Sequence, residues 1–183
     1  MKTIFDSSGK KDRIFVEVKD KYGKTKSAHW INEGKLRRFL IKLRLRHNSM
    51  TNDGFVAFVQ QIGGIATVPA VFNSIGIGTN SSPAAGPTNT QLGTSIKVKT
   101  ATTIVQYTTS VTNDTLKLVA TFSNALDSLT GTSAIVEIGM FNGNLNGTSK
   151  MALRQVYTPA DSVNFDQGDT ITVTILMQEK QGV

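Results

Sequence analysis

Alternation of apolar and polar positions runs through most of this chain, and it predicts strands. Over Thr170–Gln178, Ile171, Val173, Ile175 and Met177 alternate with Thr172, Thr174 and Leu176, behind the turn pair Gly168-Asp169. Arg13–Lys19 and Lys24–Trp30 read as a hairpin about Asp20-Lys-Tyr-Gly23, with Lys19, Lys21, Lys24 and Lys26 along its rim. Further strands are predicted at Phe72–Gly78, Ala134–Phe141 and Met151–Tyr157, the last two joined through residues 142–147, and a Pro-punctuated loop over 79–89. Ile96–Val111 reads as largely strand. A two-residue turn at Asn113-Asp114 then puts Val111 opposite Leu116, Thr109 opposite Leu118, Tyr107 opposite Ala120 and Val105 opposite Phe122 on one apolar face.

Two segments break the period of two. Residues 52–62 carry Phe55, Phe58, Val59 and Ile62 as one helical stripe, capped by Thr51 or Asn52, with Asp53 in the first turn and Gly63-Gly64 beyond. Residues 35–46 fit either period. Leu36, Phe39, Leu40 and Leu43 fall at helical spacing after a possible Asn32 cap, whereas Ile41, Leu43 and Leu45 alternate with Lys42, Arg44 and Arg46. A strand over 39–46 is the favoured reading, and both geometries gather the cations on one side. The whole predicts a mainly β chain: an antiparallel β-sandwich of jelly-roll type over 49–183 with one short helix, preceded by a basic N-terminal hairpin and arm over 1–48.

Charge changes this picture most at the front. Residues 1–48 hold 14 Lys/Arg against 5 Asp/Glu, and the remaining residues hold 6 against 8, so the arm carries the whole basic surplus of a chain with net charge +7. Such an arm suits a large acidic partner. Low aromatic content, 7%, and the lack of a nucleic-acid motif weigh against DNA or RNA in that role. The chain has no cysteine, so disulfides are excluded, and its two histidines, His29 and His47, are few for a zinc site. No apolar run reaches the length of a membrane span, and the N-terminus lacks an apolar secretory core.

Chemistry is sparse. The sequence displays no Ser-His-acid arrangement, nucleophile elbow, phosphate loop or metal-ligand cluster, so no catalytic residue, cofactor or metal ligand is assigned. Gly76-Ile-Gly78 lacks the third glycine and following helix of a dinucleotide site and marks close packing instead. Asp161, Asp166 and Asp169 lie close together but do not fit a calcium loop, and Asp169 beside Gly168 reads as turn chemistry. His29 and Trp30 could stack on bases, yet a lone aromatic in a hairpin reads better as a packing anchor.

Three segments together resemble the short virion structural proteins of tailed bacteriophages. They are Arg46-His-Asn-Ser-Met-Thr-Asn-Asp-Gly-Phe-Val-Ala-Phe58; Phe72-Asn-Ser-Ile-Gly-Ile-Gly-Thr79 with its Pro/Ala/Thr loop and Leu92-Gly93; and Glu137-Ile-Gly-Met-Phe-Asn142, Met151-Ala-Leu-Arg-Gln-Val-Tyr157 and Gly168-Asp-Thr-Ile-Thr-Val-Thr174. The resemblance spans about residues 39–178 and leaves the basic arm outside the family pattern. It implies a non-enzymatic component of a virion assembled in the bacterial cytoplasm. The expected role is a capsid decoration (cement) protein, a homotrimer bound to the major capsid protein, with no membrane partner. The docking patch expected on the arm is Lys35, Arg37, Arg38, Lys42, Arg44 and Arg46. A tail, baseplate or fibre component is the alternative within the family, and a host-glycan-binding module the alternative outside it.

Overall fold

A computed structural model describes residues 13–31, 49–63, 71–86, 88–108 and 115–178. Among these residues ten strands form two antiparallel sheets. Sheet A runs β2 (Thr25–Ile31), β1 (Arg13–Lys19), β10 (Thr170–Gln178), β7 (Thr115–Phe122) and β6 (Thr103–Tyr107). Sheet B runs β3 (Ser49–Met50, two residues only), β9 (Met151–Asn164), β8 (Thr132–Phe141), β4 (Ser74–Gly78) and β5 (Ser95–Thr100). Between them come helix α1 (Asn52–Gly63), the single turn α2 (Asn124–Asp127) and a 3-10 turn at Phe165–Gln167.

The two sheets share one core and form a sandwich. Ile14, Val16, Val18, Leu118, Ala120, Phe122, Ile171, Val173 and Ile175 of sheet A meet Ile75, Ile77, Ile138, Met140 and Leu153 of sheet B. These are the alternate residues of their strands, as the period of two demands. β10 has the bounds the sequence predicts. The hairpin β1–β2 is also as expected, but β1 lies between β2 and β10 with its aliphatics in the core. Residues 13–31 of the expected arm therefore belong to the sandwich.

The strand order does not show jelly-roll wiring. Four hairpins, β1–β2, β4–β5, β6–β7 and β8–β9, each close within one sheet. The stretch 96–111, read as largely strand, holds β5 and β6 over its described residues, and these lie in different sheets because the chain crosses from sheet B to sheet A at Ala101-Thr102. The register between β6 and β7 also differs from the expected one. Tyr107 lies opposite Thr115 and Val105 opposite Lys117, so Ile104, not Val105, shares a sheet face with the core residue Leu118.

Helix α1 has nearly its predicted bounds, and two residues of its expected stripe face outward. Thr51, Gly54 and Ala57 are buried, whereas Phe55 and Val59 of the expected stripe are exposed, as is Val56. Glycine is the reason. A Cβ at Gly54 would lie 2.5 Å from the Ala152 carbonyl oxygen, so the helix backbone rests directly on β9. The side chains of Phe58 and Ile62 lie outside the described residues.

Candidate functional site

Strand β9 is where the distant segments of the chain meet. From α1 comes Thr51, whose hydroxyl donates to the Met151 carbonyl and accepts the Gly54 N–H at 3.1 Å, capping the helix on the strand. The Thr51 N–H donates to the Ala152 carbonyl at 2.9 Å. Lys150, just before β9, reaches Asp53 at 3.2 Å across the same junction.

On the outer face of sheet B, the loop between β4 and β5 is folded down over a second apolar cluster of Leu92, Val98, Phe141 and Met151. Gly76 and Gly139 lie opposite each other in register, and a Cβ on either would come within 3 Å of the Phe141 ring. The paired glycines make the hollow that this ring and Leu92 fill. The close packing expected of Gly76 and Gly78 is thus realised against the chain's own loop.

A buried ion pair holds that loop in place. Arg154 and Glu137 are both fully buried; Arg154 Nη2 and Nε donate to Glu137 Oε2 at 2.7 and 2.9 Å. Their remaining valences go to the loop. Glu137 accepts the N–H groups of Asn80, Gly93 and Thr94, at 3.3, 2.9 and 2.9 Å. Arg154 donates to the carbonyls of Pro83 and Asn80 and to Asn89 Oδ1. Every charge is matched, which is the condition under which a buried pair is tolerated. Neither residue is singled out by the sequence reading, although each is a lone charge within an apolar run.

A third group closes the opposite side of the sandwich. Asp161 of β9 accepts the Ser27 hydroxyl at 2.7 Å and the Tyr157 hydroxyl at 3.1 Å, with His29 Nε2 at 3.5 Å. Burial, with the neighbouring Asp161 carboxylate, pushes the Tyr157 phenol well above its ordinary value, so it stays a donor. Ser27, His29 and Asp161 are the residue types of a nucleophilic triad in the wrong order. The carboxylate stands between serine and histidine, and the serine proton points at the acid, so no base activates the hydroxyl. What the group does is join β2 of one sheet to β9 of the other.

Asp169 is tied elsewhere, to Lys26 Nζ at 2.6 Å and the Asn164 N–H at 2.9 Å. Burial opposes its ionisation, but the Lys26 and Asn164 hydrogen bonds and the Lys26 charge outweigh it and hold the carboxyl below its usual range. Asp161, Asp166 and Asp169 do not converge, and among the described residues no group of three or more potential ligands could hold a metal ion. Two of the four rim lysines are paired, Lys19 with Glu17 and Lys26 with Asp169. Trp30 packs on Phe15, its cross-strand partner, with ring centroids 5.1 Å apart, as an anchor on the outer face of sheet A. No helix among the described residues is long and apolar enough to cross a membrane.

The expected docking residues Lys35, Arg37, Arg38, Lys42, Arg44 and Arg46 lie outside the described residues. Among the described residues, exposed apolar side chains include the Phe55, Val56 and Val59 face of α1 and those of strand β6. Against known protein families, curated proteins and solved structures, the chain finds no significant match.

Proposed function

We propose that this chain is a non-enzymatic structural component of a tailed-bacteriophage virion, a capsid decoration protein that binds and stabilises the lattice of the major capsid protein. One observation supports the reading above the others. Described parts of the three segments meet on β9: Thr51 and Gly54 seat on Met151 and Ala152, and Arg154 with Glu137 clamps the loop that carries Leu92-Gly93, while Thr170–Thr174 lies across the core in β10 of sheet A. Most of the described residues that carry the resemblance thus build one layer of the molecule. A disulfide-free sandwich of this kind folds in a reducing cytoplasm, where such particles assemble. Exposed apolar side chains on α1 then offer a surface for a neighbouring subunit.

In this role the basic arm steers the subunit onto an acidic lattice, and salt screens that attraction over a Debye length of about 8 Å at physiological ionic strength. Quantitative protein analysis of purified particles tests the assignment. Hundreds of copies per particle are expected; about a dozen copies would move the chain to the tail, and its absence would remove it from the virion. Charge reversal at Lys35, Arg37, Arg38, Lys42, Arg44 and Arg46 should lower occupancy, most clearly at moderate salt.

A further inference from the structure

The four sheet edges of the sandwich are not guarded alike. At one end of sheet A, β2 carries Lys26, with Lys24 just before it. In sheet B, β3 is two residues long, and β5 carries Lys97 and Lys99 opposite the core residues Ile77 and Ile75, which aims both lysines at the gap between the sheets. Short strands and inward-pointing lysines are the devices by which sheets refuse to extend. β6 has neither. Its sequence, Thr103-Ile-Val-Gln-Tyr107, holds no ionisable cation or carboxylate, and no described strand lies on its outer side.

β6 is also apolar where it is bare. Ile104, Val105 and Tyr107 are 46, 44 and 45% exposed. Ile104 stands on the core face opposite Leu118, so the interior of the sandwich runs out past its own rim at this strand. A partner strand added here would cover Ile104 on one face and Val105 with Tyr107 on the other.

We infer that β6 is a self-association edge, at which two copies of this chain join their A sheets antiparallel about a two-fold axis through Val105. Charge decides for a second copy. A neutral edge meets itself without like-charge repulsion, whereas β2 or β5 would set lysine against lysine. Length decides the register: centring on Val105 pairs all five residues with all five, Thr103 against Tyr107 and Ile104 against Gln106, and any shift forfeits pairs. The nearest cation on the strand behind is Lys117, which lies over the Tyr107 ring at 5.2 Å. It would face its own copy across three strand spacings, about 14 Å, beyond the screening length. This inference does not rest on the virion reading.

The chain has no cysteine, so a single introduced thiol reports its own neighbour. In the full-length protein, V105C should form a disulfide-linked dimer under mild oxidation, because directly opposed residues have Cα atoms about 4.5–5.5 Å apart. Y107C should not, since its copy would lie four residues along the partner strand, about 13 Å away. Sedimentation should show a dimer for the native chain, weakened about 100-fold or more by V105K and restored by mixing V105K with V105E. A monomeric native chain, equal cross-linking of V105C and Y107C, or a dimer or trimer indifferent to V105K would overturn the inference.

Discussion

The outer faces of the two sheets are finished differently. Sheet B is built over: a loop of sixteen residues, 79–94, lies on its outer face, seated by an ion pair that no solvent reaches. Sheet A has no such cover among the described residues. Its outer face carries the half-buried Phe15–Trp30 pair and threonines such as Thr121 and Thr172, whose hydroxyls meet at 2.8 Å. A sheet that buries both faces needs glycine and a matched charge to bring a loop down close. A sheet with one wet face needs only alternation. The difference separates a three-layer region, where single substitutions should be severe, from a two-layer region that tolerates change.

The largest expected break of that contrast is Arg154→Ala. It strands a buried carboxylate and frees the loop, and should cost about 3–5 kcal/mol in urea unfolding, while the double replacement of Arg154 and Glu137 by methionine should cost less than that single change. Gly139→Ala comes next. Its methyl group would lie 2.8 Å from the Phe141 ring, and overpacking there should cost about 1–3 kcal/mol in the same assay. On sheet A, Trp30→Phe, which keeps a ring against Phe15, should cost only about 1 kcal/mol on this half-wet face. An equal or larger loss than for Gly139→Ala would erase the distinction.

Smallest is the effect of Lys26→Met. The depressed carboxyl of Asp169 contributes stability that is present above its unfolded value, about pH 4, and is lost as the pH falls through the folded value. Lys26 is partly exposed, so the variant should lose less than about 1 kcal/mol near pH 6. It should also show a flatter decline of Tm below pH 4.

How legible all this is in the sequence varies with the kind of interaction. β10, β1 and β2 are readable because alternation and turn chemistry are local and agree. The bounds of α1 are readable for the same reason, but the outward turn of Phe55 and Val59 is not, since the missing side chain of Gly54 seats that side of the helix on β9 by letting two backbones touch. The break between β5 and β6 is hidden because Ala101-Thr102 has no turn signature; only the change of sheet makes it a corner. Of the site, Gly76 is legible as a packing glycine. Glu137 and Arg154 are visible as isolated charges, but nothing local says that two such charges, seventeen residues apart, face each other on neighbouring strands.

The two-residue crossing from β5 to β6 gives the sandwich a spine, as in a bound book. The three Cα–Cα steps from Thr100 to Thr103 reach about 11 Å at most, so along this margin the layers cannot part. Beside it Lys99 stitches the boards together, from β5 to Asp127 at 2.8 Å and to the Thr121 carbonyl. At the fore-edge, Ser27, His29 and Asp161 act as a clasp made of side chains alone. Any breathing of the two layers must therefore grow with distance from the spine and be greatest where the clasp lets go.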